Sequence, residues 1–219
     1  MEAVQLPQSF SSKEIDWILN VTKLVSKQPE RDLCILGFFF GSPLTTLEIN
    51  LLKVKDVIDK HGVLNKRFKA RGIEFKGRDV YLTNEKLRNL LEDYISYRVD
   101  KKIGVSGDQR IYFGLKPENA LFYSSQHSGF SIASRITVAG SLSYSCEALN
   151  RHIKQLMRKS GIQNPSTLSG RKTFAENLFR KGVDLNYIHQ MLGNKSLETT
   201  KSLVANSSVN FADIMAEAF

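Results

Sequence analysis

The run "LSGRKTFAENLFRKGVDLNYIHQMLGNKSLETTKSLV", residues 168–204, reads as three helical segments divided by Gly182 and Gly193. Each glycine stands where a helix needs a C-terminal cap, the position that favours left-handed backbone angles. Thr199 and Thr200 open the third segment, and Tyr187 reads as a half-buried aromatic on the second. One step upstream, Gly161 caps a helix that starts near Ser145. There Leu149, Ile153, Leu156 and Met157 face inward, while Arg151, Lys154 and Arg158 share an outer face at i, i+3 and i+7. The far C-terminus, "SVNFADIMAEAF", supplies one more short apolar helix.

The front of the chain is helical too. Ser11 followed by Glu14 fits a capping box, and Ile15, Ile18, Leu19, Thr22 and Val25 keep one face until Gln28-Pro29 ends the helix. "RDLCILGFFF" forms a second helix, apolar on most sides and hence buried. A third follows Pro43, with Leu47, Leu51 and Leu52 inward. The period then changes. "VLNKRFKARG" and "IEFKGRDVYLT" alternate β-branched or aromatic residues with basic ones around a turn at Arg71-Gly72, which predicts a small antiparallel sheet. "NEKLRNLLEDYISYRV" returns to helix on Leu87, Leu90, Leu91, Tyr94 and Ile95. In residues 100–142 the only clear extended piece is "NALFYSS". The fold class is therefore mainly α with a small antiparallel β-sheet, and the expected organisation is one domain over residues 1–219.

Charge narrows the function. The net charge is +9, and it is clustered: residues 60–78 hold seven Lys/Arg against one acid, Glu74, and residues 151–181 hold eight against Glu176 alone. Such a distribution suits a polyanionic partner, double-stranded DNA above all. No apolar run approaches the roughly 20 residues of a membrane span. "MEAVQLPQSF" lacks the basic-then-apolar pattern of an export signal. Cys34 and Cys146 lie far apart in helix-like stretches, so a reduced, cytoplasmic setting with the nucleoid is expected. His61, His127, His152 and His189 show no metal-ligand spacing with them, and neither a metal nor another cofactor is expected.

The stretch 168–204 closely resembles the C-terminal box of the phage integrase or tyrosine recombinase family. Arg171, Thr173, Phe174, Ala175, Gly182, Val183, Asp184, Ile188, Leu192, Gly193, Ser196, Thr199 and Thr200 fall at family positions. The opening helices match more loosely, through Arg31-Asp32 and the Glu48, Leu52, Asp56 spacing, and the hairpin ending "DVYLT" and the strand "LFYSS" take their expected order. The resemblance implies the catalytic-domain fold of that family, without its separate N-terminal DNA-clamping domain.

It also implies a chemistry. Family members attack the scissile phosphate with a tyrosine, while two arginines, a lysine and two further His or His/Trp positions serve the pentacoordinate phosphate, whose gathering charge needs preorganised cations. In this chain most of those positions hold other residues. The first arginine falls on Thr45, the first histidine on Leu168, the last His/Trp on Asn194 and the nucleophile on Leu203, with no tyrosine after Tyr187. Lys69 is the heir of the hairpin lysine, with Arg71 the alternative, and Arg171 keeps the second arginine, followed by Lys172. Ser202 and Ser207 lie near the lost nucleophile but lack an activating base.

The expectation is thus a DNA-binding protein that has lost strand cleavage, acting as a regulator or accessory factor of a mobile element. Phosphate contacts are expected from Lys69, Arg71, Arg151, Lys154, Arg158, Arg171, Lys172 and Lys195, and base contacts from Asn150 and Gln155. Arg171 has an equal structural reading, as a tie between helices. Two alternatives stand beside this one: a divergent recombinase with an unrecognised nucleophile, and a module that pairs with an active recombinase. Self-association is expected through Phe211, Ile214, Met215 and Phe219 of the terminal helix.

Overall fold

A computed structural model describes residues 7–73, 77–124, 128–137, 140–205 and 207–208. The apolar helix α2 (Pro29–Gly41) runs through the centre, with Cys34, Ile35, Leu36, Phe38, Phe39 and Phe40 all buried. Removing a side chain of this size from water is worth about 1.5–3 kcal/mol, so this one helix organises its neighbours. α1 (Ser12–Val25) starts at the Ser11/Glu14 capping box and packs Ile18 and Leu19 on α2. It stops at Val25; Pro29 instead opens α2 at its first turn, where a missing N–H costs nothing. α5 (Glu85–Asp100) covers another side of α2 with Leu87, Leu91, Tyr94 and Ile95.

Between them the chain makes two short turns of helix, α3 (Thr46–Asn50) and α4 (Val54–Val57). Leu52 is buried there as expected, but Ile49 takes the deepest position, and Leu47 and Leu51 are half-buried. The expected hairpin follows as β1 (Arg67–Ala70) and β2 (Arg78–Tyr81), paired antiparallel from Arg67 with Tyr81 to Ala70 with Arg78. Phe68 and Val80 face inward across this pair.

Residues 100–145 depart from the sequence reading. "NALFYSS" is pinned by isolated bridges, Lys53 with Ala120 and Tyr123 with Gly129, rather than forming a strand. Phe122 inserts between Phe38 and Tyr94, and the buried Arg98 donates to the Ala120, Leu121 and Ile103 carbonyls. A second hairpin then appears, β3 (Ala133–Ile136) with β4 (Leu142–Ser145). Its β3 is exposed throughout, so it carries no inward-outward alternation to read.

β4 leads into α6 (Glu147–Lys159), whose Leu149, Ile153, Leu156 and Met157 join the main core. The Trp17 indole donates to the Ser160 carbonyl at 3.0 Å and fastens α1 to the end of α6. α7 (Ser169–Arg180), α8 (Leu185–Leu192) and α9 (Leu197–Val204) follow, each break marked by a glycine at positive φ: Gly161 at 89°, Gly182 at 77° and Gly193 at 63°. Ala175, Ile188, Leu192 and Val204 form a small second cluster under these helices. α7 reaches the main core at Gly170, where an added Cβ would lie 2.2 Å from the Phe39 carbonyl oxygen. Residues 209–219, with the proposed self-association face, lie outside the described residues.

Candidate nucleic-acid interface

An open cleft of about 290 Å³ lies where α3, the first hairpin, β4 and the α7–α9 unit converge, and Thr45, Glu48, Arg78, Tyr144, Arg171 and Lys195 are among its lining residues. Each part has a local cause. Thr45 caps α3, its hydroxyl accepting from the Glu48 amide at 3.2 Å while the Glu48 carboxylate accepts from the Thr45 amide at 2.7 Å. Arg171 stands in the first turn of α7 and Lys195 follows the left-handed cap at Gly193.

Two arginines meet here. Arg171 Nη2 donates to the Leu192 carbonyl at 2.7 Å and to Asn194 Oδ1 at 2.8 Å, while its buried Nε has no protein partner among the described residues. Burial, with a smaller push from Arg78, brings its pKa down to about 10 against the pull of Glu48. It is still overwhelmingly charged at neutral pH. Arg78 is bonded on all sides: Nε to the Met191 carbonyl at 2.7 Å, Nη2 to the Pro43 carbonyl at 3.0 Å and to Glu48 Oε2 at 3.1 Å, and Nη1 to Glu48 Oε1. In the sequence Arg78 is one of seven bases in the cluster of residues 60–78. The signal was present, because Arg78 is in phase with Val80 and therefore on the inward face of its strand.

The other positions matched to the family's site residues lie nearby. Asn194 links Arg171 to Thr200, donating to its hydroxyl at 2.9 Å. Leu203 is half-buried and packs on the second cluster with Phe174, Leu178 and Phe179. Leu168 is exposed just before α7. Tyr187 is 63% exposed, more open than its amphipathic helix suggested, because α8 buries only Ile188 and Leu192.

The remaining expected contacts divide. Lys69 is exposed on the outer face of β1, and Arg71 is tied to Asp56 at 3.1 Å. Arg158 is exposed and Lys154 half-exposed on α6. Two expectations need correction. Lys172 is only 7% exposed, on the inner side of α7, with its ammonium 3.6 Å from Glu176; a buried, paired cation is not presented to a partner. Asn150 is turned toward α3, accepting from the Thr46 hydroxyl at 2.7 Å, so its carbonyl is not offered to a base.

Arg151 and Gln155 flank a separate cleft of about 440 Å³ with Lys27 and Lys159. At its base Asp32 Oδ1 receives Arg31 Nε at 2.9 Å and lies 2.7 Å from His152 Nε2, and Oδ2 accepts from the Ser26 hydroxyl at 2.6 Å. Burial raises the Asp32 pKa, but His152, Arg31 and Ser26 together outweigh it and leave the carboxyl below its ordinary value. This network joins α6 to α2. Among the described residues no group of His, Cys, Asp and Glu could hold a metal ion, and no helix is long and apolar enough to cross a membrane.

The phage integrase family model matches residues 8–208. The chain belongs to that family. This integrase-family chain is 26% identical over 197 residues to the tyrosine recombinase XerA of Pyrococcus furiosus, covering 90% of the chain and 56% of XerA. It is 25% identical over 199 residues to tyrosine recombinase XerC of Chlamydia trachomatis serovar D, covering 90% and 53% respectively. It thus spans about half the length of these curated relatives. Its fold is that of the XerA recombinase crystal structure (TM-score 0.67, 20% identity, 99% of this chain and 66% of that one). It also matches the Tn1549 transposon integrase solved with circular intermediate DNA (TM-score 0.60, 15% identity, 100% and 67%). The fold class expected from sequence, the tyrosine-recombinase catalytic domain, is the one observed.

Proposed function

We propose that this integrase-family chain binds duplex DNA and does not cut it, serving a mobile element as a regulator or accessory factor in the cytoplasm, with the nucleoid. The observation that carries the reading is the cleft itself. Arg171 and Lys195 line it together, while the residue at the nucleophile position, Leu203, is packed into the small apolar cluster beneath. A backbone phosphate seated there meets Arg171 and Lys195, the charge of Arg78 being taken up by Glu48, and no nucleophile from α9. Lys154 and Arg158 of α6, and Lys69 of the first hairpin, add exposed positive charge for flanking phosphates. Phosphate contacts of this kind fix position and register without reading sequence.

Binding and chemistry are tested together on duplexes carrying a nick, where a cut strand loses its short fragment and leaves any protein–DNA bond trapped. The native chain is expected to retain the duplex with a slope of log K against log salt of about −5, for roughly six phosphates neutralised. No covalent band is expected, nor from Leu203→Tyr, because Thr45 and Leu168 still leave the pentacoordinate charge unmet. A covalent adduct formed by the native chain overturns the reading.

One observation favours a second reading. Tyr144 of β4 lines the same cleft as Arg171 and Lys195, which supplies a phenol where α9 has none. In a divergent recombinase its oxygen would bond to phosphorus as the strand's 5′ oxygen leaves with a proton. An adduct made by the native chain and lost in Tyr144→Phe establishes that reading instead.

A further inference from the structure

The second hairpin has no evident task in the fold. β3 is exposed at every position, Ile136 is 76% exposed and Leu142 45%. The ladder closes through Thr137 N to the Ser141 carbonyl at 2.8 Å. A lone two-stranded ribbon is at best marginally stable in water, so one whose outer strand β3 is displayed on both faces is poised for a partner. The register divides its side chains. Ala133, Arg135, Ser143 and Ser145 share one face; Ser134, Ile136, Leu142 and Tyr144 share the other.

The first of these faces is a single arginine among small residues. Arg135 is exposed and has no ion pair or hydrogen bond among the described residues. Residues 119–146 contain no Asp or Glu, so the whole arm is free of negative charge. Its position is equally specific. β4 lines the cleft of Arg171 and Lys195 at Leu142, Ser143 and Tyr144, then runs directly into α6. A double helix with a phosphate in that cleft therefore brings a groove against the ribbon. The major groove, about 12 Å wide, admits a two-stranded ribbon, and an arginine there pairs in bidentate fashion with the O6 and N7 of guanine.

We propose that the β3–β4 ribbon lies in the major groove and that Arg135 reads a guanine, with Ala133, Ser143 and Ser145 small enough to let the backbone approach. This rests on the DNA-binding reading above and gives it what the phosphate contacts lack, a source of sequence preference.

The test starts from duplexes randomised over two helical turns, from which the native chain selects its preferred site. Fluorescein-labelled selected and scrambled duplexes are then titrated with the native chain, Arg135→Ala, and Lys195→Ala. Arg135→Ala is expected to lose about 10- to 100-fold of the preference at one G·C pair. Its affinity for scrambled duplex should change only slightly. Lys195→Ala should weaken both duplexes alike. A native chain that binds duplex without preference overturns the proposal and leaves the DNA-binding reading intact, as does an Arg135→Ala that keeps the full preference or weakens both duplexes equally. No binding to any duplex overturns both readings. Arg135 is exposed, so its removal leaves the fold unchanged, and an unaltered melting midpoint verifies this.

Discussion

Replacing Arg171 by alanine separates a residue that holds the fold from one that also holds a phosphate. Its Nη2 serves the Leu192 carbonyl and Asn194 Oδ1. Asn194 keeps a second tie through Thr200, so the main loss is at Leu192, whose carbonyl ends α8. Leaving a part-buried acceptor without its donor costs about 1–3 kcal/mol. Removing Arg171 also relieves its repulsion with Arg78 and forfeits a larger attraction to Glu48. A loss of about 2 kcal/mol is expected, which for a domain of this size lowers the melting midpoint by about 4–8 °C. That much follows from either role. The salt dependence distinguishes them, since one phosphate contributes about −0.9 to the slope. Anisotropy titrations at several salt concentrations, well below both midpoints, should show Arg171→Ala flattening the slope by about one. The exposed Lys195→Ala should do the same with no loss of stability. If Arg171→Ala melts early yet keeps the native slope, the arginine only ties helices together and the phosphate assignment fails.

Three further outcomes follow from buried contacts. Glu48→Gln leaves Arg78, whose side chain is 13% exposed, without its counter-charge, and should cost about 3–5 kcal/mol in urea unfolding with an unchanged m-value; a loss below about 1 kcal/mol would mean that the carbonyls alone hold Arg78. The Asp32 carboxyl has a lowered folded pKa, so its stabilisation is complete above the ordinary value of 3.8 and is lost as pH falls through the lower folded one. Asp32→Asn should therefore flatten the acid limb of a stability–pH curve, and an unaltered limb would count against the His152–Asp32–Arg31 network. Gly170→Ala drives a methyl against the Phe39 carbonyl and should destabilise by about 1–3 kcal/mol or more in thermal melts; a neutral result would show that α7 can slide on α2.

What the sequence makes legible is what is decided locally. The Ser11/Glu14 capping box, the inward leucines of α5 and α6 and the glycine caps at 161, 182 and 193 stand where the residues placed them, because each depends on neighbours within one or two turns. The β3–β4 ribbon was invisible for the opposite reason: exposed along β3, it leaves no hydrophobic period. The site shows the same division. Thr45, Arg171 and Lys195 do converge on one cleft. Counting charge, however, says nothing about which side of an element a cation takes. Lys172 counted as a contact yet is buried against Glu176, and Asn150 counted as a base reader yet serves Thr46. Arg78, Glu48 and Tyr144 entered the cleft through tertiary packing, although the phase of Arg78 with Val80 was there to be read.

The small cluster beneath α7, α8 and α9 implies uneven protection from solvent exchange. Ala175, Ile188, Leu192 and Val204 are few, and much of what secures the end of α8 is polar: Arg78 on the Met191 carbonyl and Arg171 on the Leu192 carbonyl. Such a unit opens at a lower free energy than the helix threaded through the main core. Amide protons of α8 and α9 are therefore expected to exchange through sub-global excursions that leave α2 closed. The two guanidinium groups are that unit's polar latch, and under the proposed reading a phosphate on Arg171 is expected to change how often it releases.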